Sequence, residues 1–262
     1  MFIMQGLFLC VMGVWVQEWQ EAGIVLSVRP YGEGSILAHI FTEEHGVVSG
    51  IVRGGGARRN IAMWQVGNLL LVQWKARLTG QLGSITGELV QSTAARCLEY
   101  PLALAILSSA CGVADGGLPR DEAYPEIFMG LVRLLTLVNI APDPPPMAAY
   151  LRWEADLLRA VGYGMDLRFC AVTGEAQNLR YVSPKTGRAV SSEGAGDWAS
   201  RLLTLPQLFV DFDNDGCDED WINGLNLNEF FLSKWVFGGI NKDIPFFRVN
   251  LKNTLVNIYS KK

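Results

Sequence analysis

Along the chain the apolar positions change period once, near residue 96. From residue 18 to about 93 they fall in short runs separated by glycine-bearing turns. Residues 24–28 form the first run, and residues 35–41 alternate after the turn Tyr31-Gly32-Glu33-Gly34. Residues 47–52 follow Glu44-His45-Gly46, and residues 69–74 and 83–90 supply two more runs. Alternation broken by glycine predicts strands. Five strands in about 75 residues have the size of a small all-β barrel or sandwich, with an OB-like barrel as one match.

Beyond Arg96 the spacing becomes helical. Residues 103–114 are small and apolar and stop at Gly116-Gly117; residues 124–138 place Ile127, Leu131, Leu134, Leu135 and Val138 at helical intervals. The run Pro142-Asp143-Pro144-Pro145-Pro146 breaks the chain, because proline lacks a donor and fixes φ. Residues 147–161 repeat the helical pattern with Met147, Tyr150, Leu151, Glu154, Leu157, Leu158 and Val161, and Gly162 and Gly164 stand where helix C-caps are expected. Residues 169–196 are rich in glycine and serine and read as turns. An apolar stretch at 202–210 and an acidic one at 211–220 follow. Residues 221–259 are helical again, interrupted near Gly238-Gly239 and Pro245. The pattern as a whole predicts a multidomain α+β chain.

Composition narrows the function. The 262 residues suffice for one large domain or two to three small ones, and 50% hydrophobic against 18% charged content excludes wholesale disorder. A net charge of -4 gives no overall basicity, so a nucleic-acid partner requires local asymmetry. Residues 22–93 supply it mildly: Arg29, Arg53, Arg58, Arg59, Lys75 and Arg77 outnumber Glu33, Glu43, Glu44 and Glu88. Arg53, Arg58 and Arg59 flank Gly54-Gly55-Gly56, a loop whose glycines let backbone approach phosphates while guanidinium forks pair with their oxygens. Tyr31, Trp64 and Trp74 are candidate platforms for base stacking, each worth about 1–3 kcal/mol. The same residues also suit a solvated hairpin whose charges serve solubility. No Gly-Lys-Ser/Thr follows the glycine triplet, so it is not a P-loop.

The five cysteines, Cys10, Cys97, Cys111, Cys170 and Cys217, are scattered without a CxxC pair, which argues against a disulfide framework and fits a reducing cytoplasm. Residues 1–16 are apolar and uncharged but lack a basic start, an A-x-A-like cleavage site and the ~20 residues of a membrane span. Their status is that of a start-site artefact or an added extension, and no membrane association is expected. His39 and His45 fall in a strand and a turn, and HExxH and GxSxG motifs are absent, so no enzyme, catalytic residue or cofactor is predicted. Asp211-Phe212-Asp213-Asn214-Asp215-Gly216 imitates the opening of a calcium loop, but Ile222 stands where the bidentate glutamate belongs. It reads as a solvated acidic linker.

Several landmarks fall in one order: Gly23-Ile24-Val25-Leu26, the run from Gly46 through Arg53-Gly54-Gly55, the run from Tyr150 to Tyr163, Cys170-Ala171-Val172-Thr173-Gly174, and the run from Tyr181 to Ser191. In that order they resemble the RecO family, particularly its alphaproteobacterial members. The likeness covers residues 18 to about 203, and the remainder in helical character only. The resemblance implies an N-terminal OB-fold at 17–95, a central helical domain at 96–166, a small zinc-ribbon-like insert at 167–200 and a C-terminal helical segment at 201–262, after the apolar leader at 1–16. It implies a mediator of recombinational DNA repair that binds and anneals single-stranded DNA and displaces single-strand-binding protein. It also implies partnership with RecR and, indirectly, RecA.

This sequence departs from the family at the metal. Many relatives carry two CxxC pairs, whereas the matching positions here are Cys170, Thr173, Ser191 and Gly194. A structural zinc needs four nitrogen or sulfur donors, so a degenerate, metal-free insert is expected, with Cys170 a relic or small core residue. Among helical positions, Arg133, Arg152 and Arg159 are candidates for partner binding; the resemblance suggests the acidic-hydrophobic C-terminal tail of single-strand-binding protein as ligand. Two other classes stay open: a protein-interaction module without DNA affinity of its own, and a calcium- or membrane-associated protein using residues 211–215 or the leader.

Overall fold

The structure, a computed structural model, describes residues 9–11, 14–77 and 82–259. Of the apolar leader, residues 1–8, 12 and 13 lie outside the described residues. The strands of the N-terminal part are β1 (Leu9–Val11), β2 (Val14–Tyr31), β3 (Ser35–Thr42), β4 (Gly46–Val52), β5 (Leu69–Ala76) and β6 (Gly83–Gln91). Helices α1 (Thr93–Cys97), α2 (Pro101–Gly117), α3 (Pro125–Ile140) and α4 (Met147–Ala160) follow. The remainder holds β7 (Leu179–Val182), β8 (Ala189–Ser191), α5 (Ser192–Ala195), β9 (Leu203–Thr204), α6 (Asp218–Phe231) and α7 (Phe246–Tyr259). The chain is α+β and divides into two compact units: one of residues up to Glu99 with Leu118–Asn139, the other of Tyr100–Gly117 with residues from Ile140 onward.

In the first unit β2 does two jobs. Residues 17–24 pair antiparallel with β5 and residues 23–31 pair antiparallel with β3, with a register shift between Val25 and Ser27. β3 pairs with β4, β4 runs parallel to β6 through Gly50–Gly83 and Ile51–Ser84, and β6 pairs with β5. The pairings thus return to β2 and close a ring. Alternate residues point inward, so Val25, Ile36, Ala38, Ile40, Val48, Val52, Leu70, Val72 and Ile85 form one core. Trp64 completes it: only 2% exposed, it is delivered by the turn-rich segment between β4 and β5. It is therefore a core residue and not a stacking platform. A ring of strands leaves open mouths, and a large apolar side chain gains most by filling one. On the outer side α3 buries Ile127, Phe128, Leu131, Leu134, Leu135 and Val138, and Phe128 meets Phe41 edge-on at 5.4 Å.

In the second unit α2, α4, α6 and α7 bury apolar stripes together with an unusual number of polar groups. Glu154, Arg248, Tyr150, Ser109 and Asn228 are all fully buried. Arg248 on α7 donates to both carboxylate oxygens of Glu154 on α4, at 2.6 and 3.2 Å, and to the Leu225 carbonyl on α6 at 2.9 Å. Tyr150 donates to Glu154, and Asn228 donates to Glu154 and to the Leu151 carbonyl. Ser109 of α2 bonds the Tyr150 hydroxyl at 2.7 Å, so one buried network touches all four helices. Gly162, with φ +91, closes α4, and the Tyr163 N–H returns to the Leu158 carbonyl at 2.8 Å. After α6 the chain passes through a π-helical turn at Leu232–Phe237 and a short 3-10 turn at Gly238–Ile240 before α7. A second, three-stranded sheet has the order β8-β7-β9.

Candidate nucleic-acid interface

Register places the charged residues of the first unit. Directly paired residues on neighbouring strands point to the same side of a sheet. Arg29 pairs with Leu37, Leu37 with Ile51, Ile51 with Ser84, and Ser84 with Lys75. The flanking residues Ile36, Val52, Ile85 and Trp74 belong to the core or pack against it, so this row faces outward. Arg29 and Lys75 lie four strand spacings apart, about 19 Å at ~4.8 Å each. Two residues farther along the same faces come Tyr31, opposite Ser35, and Arg53, just past the end of β4. Tyr31 is 46% exposed, and Arg29, Arg53, Arg58, Arg59, Lys75 and Arg77 are all exposed. One outer face therefore carries Arg29, Tyr31, Arg53 and Lys75. Arg58 and Arg59 ride on the loop after β4, which is tied to the β2–β3 turn by a bond from the Gly56 N–H to the Gly34 carbonyl at 3.2 Å.

Lys75 is ion-paired with Glu18 at 2.7 Å, with the Lys75 side chain exposed and that of Glu18 partly so. Such a pair contributes little and yields readily to a competing anion. Trp74 lies on the other side of its strand. Its Nε1 donates to the Ser49 carbonyl at 3.1 Å, and its ring stacks on Trp19 at 5.7 Å, which in turn stacks on His45 at 4.2 Å. A Cβ on Gly83 would come within 2.3 Å of the Trp74 ring, so only glycine lets β6 approach it. His45 is held by the Glu21 carboxylate at 2.5 Å, which also accepts from the Glu44 N–H. Burial pushes the Glu21 carboxyl up, but the His45 and Glu44 bonds outweigh it and hold the group below its usual value. One further cation was invisible to strand patterning: Arg120, beyond α2 in the chain, donates to His39 Nδ1 at 3.1 Å, and His39 sits between Ser27 and Ser49 on the outer face.

The three helical arginines have different surroundings. Arg133 on α3 is exposed, with Met129 and Leu137 exposed one turn to either side. Arg159 pairs with Asp156 at 2.8 Å on the surface of α4. Arg152 is committed within its own unit: it donates to the carbonyls of Leu208, Asp211 and Asn214 and lies over the Phe212 ring at 5.4 Å. The acidic stretch at 211–216 is thus wrapped around a guanidinium.

In the segment expected to be a degenerate zinc-ribbon-like insert, Cys170 Sγ accepts from the N–H groups of Val172, Thr173 and Ser191 and from the Ser191 hydroxyl, at 3.2–3.4 Å. A Cβ on Gly194 would stand 2.9 Å from the sulfur. One thiol among hydroxyl and amide groups does not fit a structural zinc, which needs four nitrogen or sulfur donors. Burial pushes the thiol up, but the Ser191 and Thr173 bonds prevail and bring it down to about 6. Among the described residues no group of three or more His, Cys, Asp or Glu side chains is placed to hold a metal ion, and no helix is long and apolar enough to cross a membrane.

Comparison with known proteins assigns the family. Residues 16–93 match the family model for Recombination protein O N terminal, and residues 98–229 match that for Recombination protein O C terminal. The DNA repair protein RecO of Gluconacetobacter diazotrophicus is 51% identical over 237 residues, covering 89% of this chain and 93% of that protein. That of Granulibacter bethesdensis is 47% identical over 235 residues, covering 89% and 94%. That of Acidiphilium cryptum is 45% identical over 241 residues, covering 91% and 95%. With both parts matched and such identity across nearly the whole of each relative, the chain belongs to the RecO family of DNA repair proteins.

Proposed function

We propose that this protein binds single-stranded DNA on the outer face of its first unit and anneals complementary strands in recombinational repair. The observation that carries the reading is the shared face of Arg29, Tyr31, Arg53 and Lys75, with Arg77 and the Arg58–Arg59 loop at its edges. The closed ring of pairings, in the order 2-3-4-6-5 and back to 2, supports an OB-type barrel, a fold whose central strands and loops take oligonucleotides. Residues 17–95 would form that domain, 96–166 the helical domain, 167–200 a degenerate zinc-ribbon-like insert and 201–262 a C-terminal segment. The protein acts without catalytic chemistry, metal or cofactor: guanidinium groups screen the repulsion between two strands, and complementary bases do the rest.

In this reading its partners in the cytoplasm are a RecR-like protein, single-strand-binding protein and, indirectly, RecA. Arg133 between the exposed Met129 and Leu137 suits the acidic-hydrophobic tail of single-strand-binding protein, which needs a cation beside apolar surface. In the second unit, Arg159 on α4 is a separate candidate for partner contact, and Arg152 contributes there through the loop it holds. The same stripe on α3 favours the second reading, an interaction module without DNA affinity.

The deciding experiment is annealing of complementary oligonucleotides coated with single-strand-binding protein. The parent is expected to accelerate annealing, and the Arg58→Glu/Arg59→Glu variant to lose that acceleration while remaining folded. No acceleration by a folded parent transfers the function to partner binding.

A further inference from the structure

We propose that the bases of a bound strand rest on an aliphatic platform made by Leu37 and Ile51, and that the strand runs across β2, β3, β4, β6 and β5 instead of along any one of them. The proposal rests on the reading that this outer face binds single-stranded DNA. Leu37 and Ile51 are direct partners on adjacent strands, and both are half-buried on the outer side. The outward positions next to the pair are polar, Ser27, His39, Ser49 and Ser84, and the outward Phe41 farther along β3 packs against Phe128 of α3. The core does not use the pair: it is built from their inward neighbours Ile36 and Val52. Two adjoining apolar side chains, flanked by Arg29 one strand away and Lys75 two strands away, match the alternation of a strand's apolar bases and charged backbone.

The aromatic alternatives are placed otherwise. Trp64 is 2% exposed and Trp74 packs on the inner side, which leaves Tyr31 at the margin of the face. An aliphatic platform offers no hydrogen bonds to base edges, so base preference should be slight. The row from Arg29 to Lys75 spans about 19 Å, which a stacked strand rising ~3.4 Å per nucleotide covers with about five or six nucleotides.

The test uses the full chain and a fluorescein-labelled dT oligonucleotide, with affinity measured by anisotropy over a series of salt concentrations. Leu37→Ser/Ile51→Ser is expected to bind about tenfold more weakly at every salt concentration while keeping the parent's salt slope, because it removes apolar contact and no phosphate contact. Arg29→Glu should instead flatten the slope. Leu37→Phe, which enlarges the platform, should bind at least as well as the parent. Parent-like affinity in Leu37→Ser/Ile51→Ser, with Arg29→Glu weakened, overturns the platform and leaves the DNA-binding face standing. A parent that binds no oligonucleotide overturns the face itself. Should the double variant fail to fold, Ile51→Thr preserves the β-branched side chain and is expected to lose about threefold; unchanged binding there also overturns the platform.

Discussion

At Cys170, three N–H groups and one hydroxyl converge on a buried sulfur, and all four favour the thiolate. With the thiol brought down to about 6 in the folded protein from its ordinary 9.0, the unfolded chain binds more protons between those values. Stability from this group is therefore complete above about pH 9 and is lost as pH falls through about 6. The melting temperature of the parent should rise relative to Cys170→Ala between those limits, and ultraviolet thiolate absorbance should titrate near the lower one. A difference in melting temperature that stays flat with pH would mean a neutral thiol in the folded state. The donor set also predicts that a chelator leaves the melting temperature unchanged, since one soft ligand holds no structural zinc.

At the scale of elements, α7 is tied to the rest of its unit by a charge. Removing Arg248 strands a fully buried Glu154 carboxylate, so Arg248→Ala should destabilise the unit by about 3–5 kcal/mol. Glu154→Gln/Arg248→Met should recover most of the loss, because no lone charge remains. Urea unfolding followed by circular dichroism measures both, and equal losses in the two variants would show that the pair is valued for shape and not for charge. None of this was legible locally. Arg248 sits in a short stretch with apolar residues on either side, and its partner lies 94 positions earlier. By contrast, α2, α3 and α4 follow from helical spacing, and the five strand runs from alternation, because each period is a local property. The long β2 was hidden by polar residues such as Glu18 and Glu21 that face β5 and the β3–β4 turn. Trp64 reads from sequence as a stacking platform because only the closed ring creates the space it fills. Residue type singles out Arg29, Tyr31 and Lys75 one by one, but joining them on one face required the pairing of β6 with both β4 and β5.

For the molecule as a whole, an acidic chain with a net charge of -4 can bind a polyanion only through a local field. If about four cations of the outer face each neutralise one phosphate, the logarithm of affinity should fall with the logarithm of salt with a slope near −3. Arg29→Glu/Arg53→Glu should reduce the slope by about 1.4, and anisotropy titrations with a labelled oligonucleotide measure it. Binding that ignores salt would place the affinity elsewhere than in this face.

The buried pair between α4 and α7 also sets a clock on synthesis. A ribosome adding about 5–20 residues per second reaches Arg248 roughly 5–20 s after it has made Glu154. Through that interval α2 and α4, joined by α6 only toward its end, have a carboxylate at their centre with no counter-ion, so closure of the helical unit waits for α7. The ring of strands needs no such late arrival for its own pairings and can form while the helices are still being translated.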